Sequence, residues 1–351
     1  MAKGKYPTAR PLNVNVMPGS KVAKLCRSYA GLPGRAPTGE AIAPGLPRTP
    51  AQDLRFRGGK TIAQLTFTNL YVGGNPAWDP SDRQAIDRAL AAAMSDRNLN
   101  NVMMQYFNNN SITSTFVPSK ILDGGPPATV SQGDVEGLLL NLNSQGQLSG
   151  FDFGSTLFNF MLPRGTVLTD DAAPTQAFLR SKAAQTPAET RPNPVVPHED
   201  QASSLLGLGG YHGSIHVGQV TLYYAIGVFS EKQADGTTNG IPAFDQPWKN
   251  VVATFYHELN EARTDPDVED AIRAGNDPTA ERFLGWTSDQ GEECGDFPID
   301  EAQSLSLVFK EVPLADGSGT VPIQFQYSNA VHGPEGPIAA PHPLPRQRRH
   351  H

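Results

Sequence analysis

His257, Glu258 and Glu261 are the residues best suited, by type and spacing, to do chemistry in this chain. They lie in Trp248-Lys-Asn-Val-Val-Ala-Thr-Phe-Tyr-His-Glu-Leu-Asn-Glu-Ala-Arg263, ahead of Pro266. Helical residues four apart stand one turn apart on one face, so His257 and Glu261 can reach the same ion. Imidazole nitrogen and carboxylate oxygen both ligate zinc and similar divalent metals, and a catalytic site needs three protein ligands with one place left for water. Glu258 stands where an H-E-x-x-H metallopeptidase keeps its general base. The departure from that motif is Glu261, which replaces the second histidine. Its added negative charge weakens the ion as a Lewis acid and could shift preference toward harder ions, so a divalent metal is expected, zinc first, with calcium or manganese as alternatives. The competing reading is a solvated polar face on an amphipathic helix.

A third ligand has two sources. Gly285-Trp-Thr-Ser-Asp-Gln-Gly-Glu-Glu-Cys-Gly-Asp296 gathers Asp289, Glu292, Glu293 and Asp296 in a glycine-punctuated loop. Such a loop can fold a carboxylate back onto the helix, hold calcium with its oxygens, or form an acidic surface turn. In Tyr211-His-Gly-Ser-Ile-His216, strand alternation puts His212, Ser214 and His216 on one face, able to complete the metal site, to bind a developing oxyanion, or only to satisfy hydrogen bonds. His332 is a weaker candidate. The chemistry these residues imply is metal-dependent hydrolysis, most plausibly of a peptide or other small substrate: Glu258 takes a proton from water, while His212 or Tyr211 steadies the oxyanion.

The elements that must position these groups read as an α/β pattern. Trp248, Val252, Phe255 and Leu259 form one apolar stripe on the site helix. Thr61 to Val72 alternates like a strand, and Asp79-Pro80 caps a helix running to about Ser95. Val102 to Phe107 reads as a strand, Asp134 to Leu142 as a short helix, and Ser155 to Leu162 as a buried strand ended by Pro163. His212–His216 and Gln219–Phe229 read as two paired strands. The expected fold is α/β: a mixed sheet with flanking helices, and a cleft between the His257 helix and the 285–296 loop.

Residues 1–58, rich in proline, glycine and arginine, read as a partly disordered leader, and 59–332 as a single domain. An Ala/Pro/Thr-rich stretch at 169–203 reads as a loop excursion, and 333–351 as a disordered tail. The 351 residues carry 34 glycines, 31 prolines and a formal charge of −7, with one basic run at Arg346, Arg348 and Arg349. That balance argues against a nucleic-acid partner, because phosphate binding needs clustered cations. No apolar run is long enough for a transmembrane segment. The basic N-terminus lacks a following apolar core, so classical secretion is not encoded in it; the cytoplasm, or a mature form that has lost its signal, fits. Cys26 and Cys294 are too few for a disulfide framework, and nothing in the sequence supports a bridge between them.

Taken together, several separated stretches resemble the phosphate-induced, EXORDIUM-like proteins and their bacterial and fungal relatives. The matching pieces are Val72-Gly-Gly-Asn-Pro-Ala-Trp-Asp-Pro-Ser81, Gly209-Gly-Tyr-His-Gly-Ser214, His257-Glu-Leu-Asn-Glu-Ala-Arg-Thr-Asp-Pro266, Gly285-Trp286 with Gly291-Glu-Glu-Cys-Gly-Asp296, and Val321-Pro-Ile-Gln-Phe-Gln-Tyr-Ser-Asn329. The resemblance covers roughly residues 60–335 and implies a zincin-like site of His257, Glu261 and an acidic residue of the later loop, Glu293 before Asp296. Plant members are secreted and associated with the cell wall, which implies an extracellular setting. It also leaves room for a second reading, a non-catalytic protein that holds a structural metal and binds a partner or cell-wall glycan.

Overall fold

The computed structural model describes residues 46–170, 202–233, 236–274, 280–302 and 304–343. Five strands form the main sheet: β1 (Gln64–Tyr71), β2 (Thr113–Ile121), β3 (Thr156–Met161), β4 (Gly210–Val217) and β5 (Val220–Gly227). Their order is β2-β1-β3-β5-β4, with the first four parallel and β4 antiparallel to β5 at the edge. The helices are α1 (Pro80–Ser95), α2 (Arg97–Met103), α3 (Gln132–Ser144), α4 (Pro247–Thr264), α5 (Val268–Ala274) and α6 (Asp296–Glu301). The expected mixed α/β fold is what the chain adopts.

Local chemistry accounts for most boundaries. Asp79 caps α1 by accepting from the Ser81 amide at 2.7 Å, and Pro80 presets its first turn. Ser131 and Asp134 form a reciprocal capping box at the start of α3. β3 is buried along its whole length because both faces of the sheet are covered. On one face Leu139 and Leu142 of α3 pack with Phe158, Phe160, Tyr224 and Ile226. On the other, Ile86 and Leu90 of α1 and Val252, Phe255 and Leu259 of α4 pack with Leu157 and Ala225.

A third layer matters most for function. The hairpin of β6 (Phe309–Pro313) and β7 (Thr320–Gln324) lies on the far side of α4, and its Val312, Val321 and Ile323 join the same apolar cluster as the α4 stripe. Sandwiched between sheet and hairpin, α4 is buried from Asn250 to Thr264, polar positions included.

The structure corrects several sequence expectations. Val102–Phe107 is not a strand: α2 runs to Met103 and continues as a 3-10 turn over Met104–Phe107. Asp96 caps it at Leu99, and Leu99, Val102, Met103, Tyr106 and Phe107 are its buried apolar residues, a helical spacing that a six-residue apolar window hides. β2 was not anticipated, because Pro118 interrupts it; as an edge strand beside a register shift in β1, it tolerates the missing donor. The packed unit also reaches further at both ends than 59–332. Leu46 and Leu54 are buried, Leu54 exchanges backbone hydrogen bonds with the Asn329 amide at 2.7 Å, and Arg55–Phe56 pairs with Trp286–Thr287. Beyond 332, Gly333–Glu335 pairs with Gln326–Ser328, and the proline-rich backbone that follows accepts from Asn101 at Ile338 and from Asn109 at His342. Thr169 bridges Ser203 at the base of the excursion. The rest of the excursion, residues 171–201, lies outside the described residues, as do 1–45 and 344–351.

Leu259 has no exposed surface and belongs to the cluster that holds α4 in place. Leu259→Ala is expected to cost about 2–5 kcal/mol. Urea unfolding followed by circular dichroism reads this as a lower midpoint at unchanged slope.

Candidate metal centre

One turn of α4 presents His257, Glu258 and Glu261 toward the loop at 292–296 and the edge strand β4, and none of the three has exposed surface. The solvated-face reading of this helix is therefore wrong. His257 Nε2 stands 3.0 Å from Glu261 Oε2 and 3.9 Å from Glu258 Oε1. From β4, His212 Nδ1 approaches Glu258 Oε2 at 3.4 Å and Glu261 Oε2 at 3.8 Å. Its Nε2 lies 3.7 Å from Glu293 Oε1. The nitrogen and oxygen atoms fall into two sets sharing only Glu261: His212, Glu261 and Glu293, and His257, Glu261 and Asp296, each within 4.8 Å.

Three atoms here, His257 Nε2, Glu258 Oε1 and Glu261 Oε2, are buried with no hydrogen-bond partner. Such atoms are costly in a folded interior. Their tautomers explain why they converge. Gln324 donates its amide to the Gly295 carbonyl, which leaves Gln324 Oε1 to accept from His257 Nδ1 at 2.6 Å. The Nε2 lone pair of a neutral His257 then faces a carboxylate oxygen, an arrangement that needs a proton or a cation between them. His212 repeats the pattern in part: its Nε2 lies 3.2 Å from the Asp265 carbonyl and 3.7 Å from Glu293 Oε1, and its Nδ1 faces Glu258 and Glu261. A ring nitrogen fixed by a neutral acceptor while the other faces carboxylates is the outer-shell arrangement of metal-bound histidine. Two ligands bonded at about 2.1 Å to a tetrahedral ion stand roughly 3.4 Å apart, and the 3.0 and 3.8 Å separations at Glu261 bracket that spacing. These buried His, Glu and Asp groups could hold a metal ion.

The loop is fastened to the helix by its backbone. The Gly295 amide donates to Glu261 Oε1 at 2.9 Å, and the Glu293 amide to Asp296 Oδ2 at 3.1 Å. A Cβ on Gly295 would meet His257 Nδ1 at 2.3 Å, so only glycine lets the loop lie this close to the ring.

Electrostatics follow from burial. Burial pushes the His257 imidazole down, but Glu261 and Glu258 more than offset it and lift its pKa to about 10. His212 is likewise raised, burial being outweighed by Glu258. Burial raises Glu258, against the pull of both imidazoles, and lifts Asp265 to about 8.

The structure brings together His212, His257, Glu258, Glu261, Glu293 and Asp296 of the anticipated residues. Tyr211 is not among them. Strand alternation sends it to the opposite face of the sheet, into the cluster under α3, where its hydroxyl donates to the Thr169 carbonyl at 3.2 Å. Asp289 pairs with Arg55 and Arg57 at 3.1 and 2.9 Å. His216 pairs with Asp270, and His332 with Asp53. The Ser214 amide donates to Glu269 at 2.9 Å. Gln324, Gly295 and the Asp265 carbonyl were not singled out as site residues; the only sequence signal is that all three fall in stretches used for the family resemblance or beside the site helix. Cys294 is a buried free thiol, and Cys26 lies outside the described residues. Among the described residues no helix is long and apolar enough to cross a membrane. Comparison of the chain with protein-family models, curated proteins and solved structures found no match.

Two outcomes follow. Gly295→Ala is expected to weaken divalent-metal binding about 10–100-fold, measured by competition with a chromogenic chelator, because it displaces the ring that Gln324 orients. In metal-free protein, His257 is raised from 6.5 to about 10 and Asp265 from 3.8 to about 8. A raised folded pKa gives stability that is present below the unfolded pKa and lost as pH rises through the folded one. Metal-free protein should therefore melt at falling temperature as pH rises from about 3.8, where Asp265 begins to contribute, to about 10, where the His257 contribution ends, while metal affinity rises over the same range.

Proposed function

We propose that the chain is a metal-dependent hydrolase whose divalent ion, zinc in the first instance, is held by His257 and Glu261 with an acidic residue of the 292–296 loop. The observation that carries this reading is the convergence of His257 Nε2, Glu258 Oε1 and Glu261 Oε2, three buried atoms with no hydrogen-bond partner. When bound, the ion would polarise a substrate oxygen and acidify water.

The chain's own residues then have distinct tasks. Gln324 fixes the His257 tautomer, and the Gly295 amide orients Glu261. Glu258 is left over as proton acceptor, and burial raises its carboxyl above the ordinary value, which makes it a stronger base. It takes the proton of an attacking water at Oε1, the carbon–nitrogen bond of a peptide or other small amide breaks, and the same proton passes to the leaving amine. His212, 3.4 Å from Glu258, is placed to orient that carboxylate. The resemblance to EXORDIUM-like proteins belongs to the same proposal and supports the zincin-like assignment of these residues.

A second reading has its own observation. His212, His257, Glu258, Glu261 and Glu293 are each at most 1% exposed, and a closed shell of this kind suits an ion that staples the fold, with function in binding a partner or glycan. Glu258→Gln separates the two. For the hydrolase, the variant keeps its metal and loses about 10²–10⁴ in turnover of amide or ester substrates. An unchanged rate, or no turnover by the parent protein together with a large fall in melting temperature on chelation, sinks the hydrolase reading in favour of the structural one.

A further inference from the structure

We infer that the centre holds two divalent ions, with Glu261 as the ligand they share. This rests on the metal reading above and extends it from one ion to a pair. The first observation is the division of the ligand atoms: His212 and Glu293 form one set with Glu261, His257 and Asp296 the other, and no further residue belongs to both. Each set has one imidazole and two carboxylates, enough for one ion with places to spare.

The second observation is how the rings are held. His257 has Gln324 behind it and its Nε2 3.0 Å from Glu261 Oε2; His212 has the Asp265 carbonyl behind it and its Nδ1 3.8 Å from the same oxygen. Two independently oriented imidazoles thus approach one carboxylate oxygen that has no hydrogen-bond partner and no exposed surface. A carboxylate bridging two ions about 3.5–4 Å apart presents this geometry.

A pair of ions would hold the attacking water on one ion and polarise the carbonyl oxygen of an amide on the other, in keeping with a peptide or other small amide as substrate.

The test is metal content of the full chain after dialysis against manganese or zinc, read by elemental analysis, with manganese samples also examined by electron paramagnetic resonance. The inference expects about two equivalents in the parent protein, about one in His212→Ala and in His257→Ala, and an exchange-coupled manganese signal in the parent. One equivalent in the parent, with the six-line signal of isolated manganese and loss of metal in both variants, overturns the bridge and leaves the single-ion reading intact. No bound metal in the parent defeats both. The spin-coupling result uses unmodified protein, so it decides the matter even where a histidine variant fails to fold.

Discussion

Burying charge is among the costliest things a protein can do, and this fold gathers several buried carboxylates beside α4. Glu258, Glu261 and Glu293 have no exposed surface, and two imidazoles lie within 4 Å of them. Protonated histidines can meet part of that demand, as the lift of His257 to about 10 shows for the metal-free protein. A divalent cation meets it better, because it binds the lone pairs that the tautomers leave facing one another. The surrounding layers enclose this cluster.

α4 carries the demand because it lies in the middle layer. Its apolar stripe sits on the sheet, while Val312, Val321 and Ile323 of the β6–β7 hairpin cover it from beyond, so its polar positions have no route to bulk water. β7 ends in Gln324, whose side chain ties the His257 ring to the Gly295 carbonyl, and Gly295 in turn ties the loop to Glu261. The edge strand β4 contributes His212 from the other side. Core packing and site geometry are thus set by the same contacts, and a change that loosens the hairpin also loosens the ligand sphere. The antiparallel edge position of β4 is part of this: it leaves one side of the strand free of a neighbouring strand, where Asp265 and α5 reach His212 and Ser214.

How much of this could be read from the sequence depended on the distance over which residues cooperate. The α4 stripe, the one-turn spacing of His257 and Glu261 and the cap of α1 are local and plain in the sequence. The burial of the polar face was not, because it depends on a hairpin some 60 residues downstream whose strands carry no signal of what they cover. Gln324 and Gly295 escaped notice for the same reason. Tyr211 is a different case: as the alternative to His212 for the oxyanion it lies on the wrong face, because adjacent strand residues point to opposite sides. α2 and β2 show local ambiguity, a short apolar run that fits either period and a strand broken by Pro118. In the tail and at the end of the leader, asparagine side chains hold the backbone at Ile338, His342 and Leu54, contacts between distant residues that proline-rich composition does not foretell.

X-ray absorption at the zinc edge, on protein loaded by dialysis, tests the central claim most directly. The account predicts a first shell of nitrogen and oxygen at about 2.0–2.1 Å with the outer-shell scattering of imidazole, and no sulfur. A sulfur shell near 2.3 Å would move the ion to Cys294, and a shell of water oxygens alone would mean that the buried cluster holds no metal.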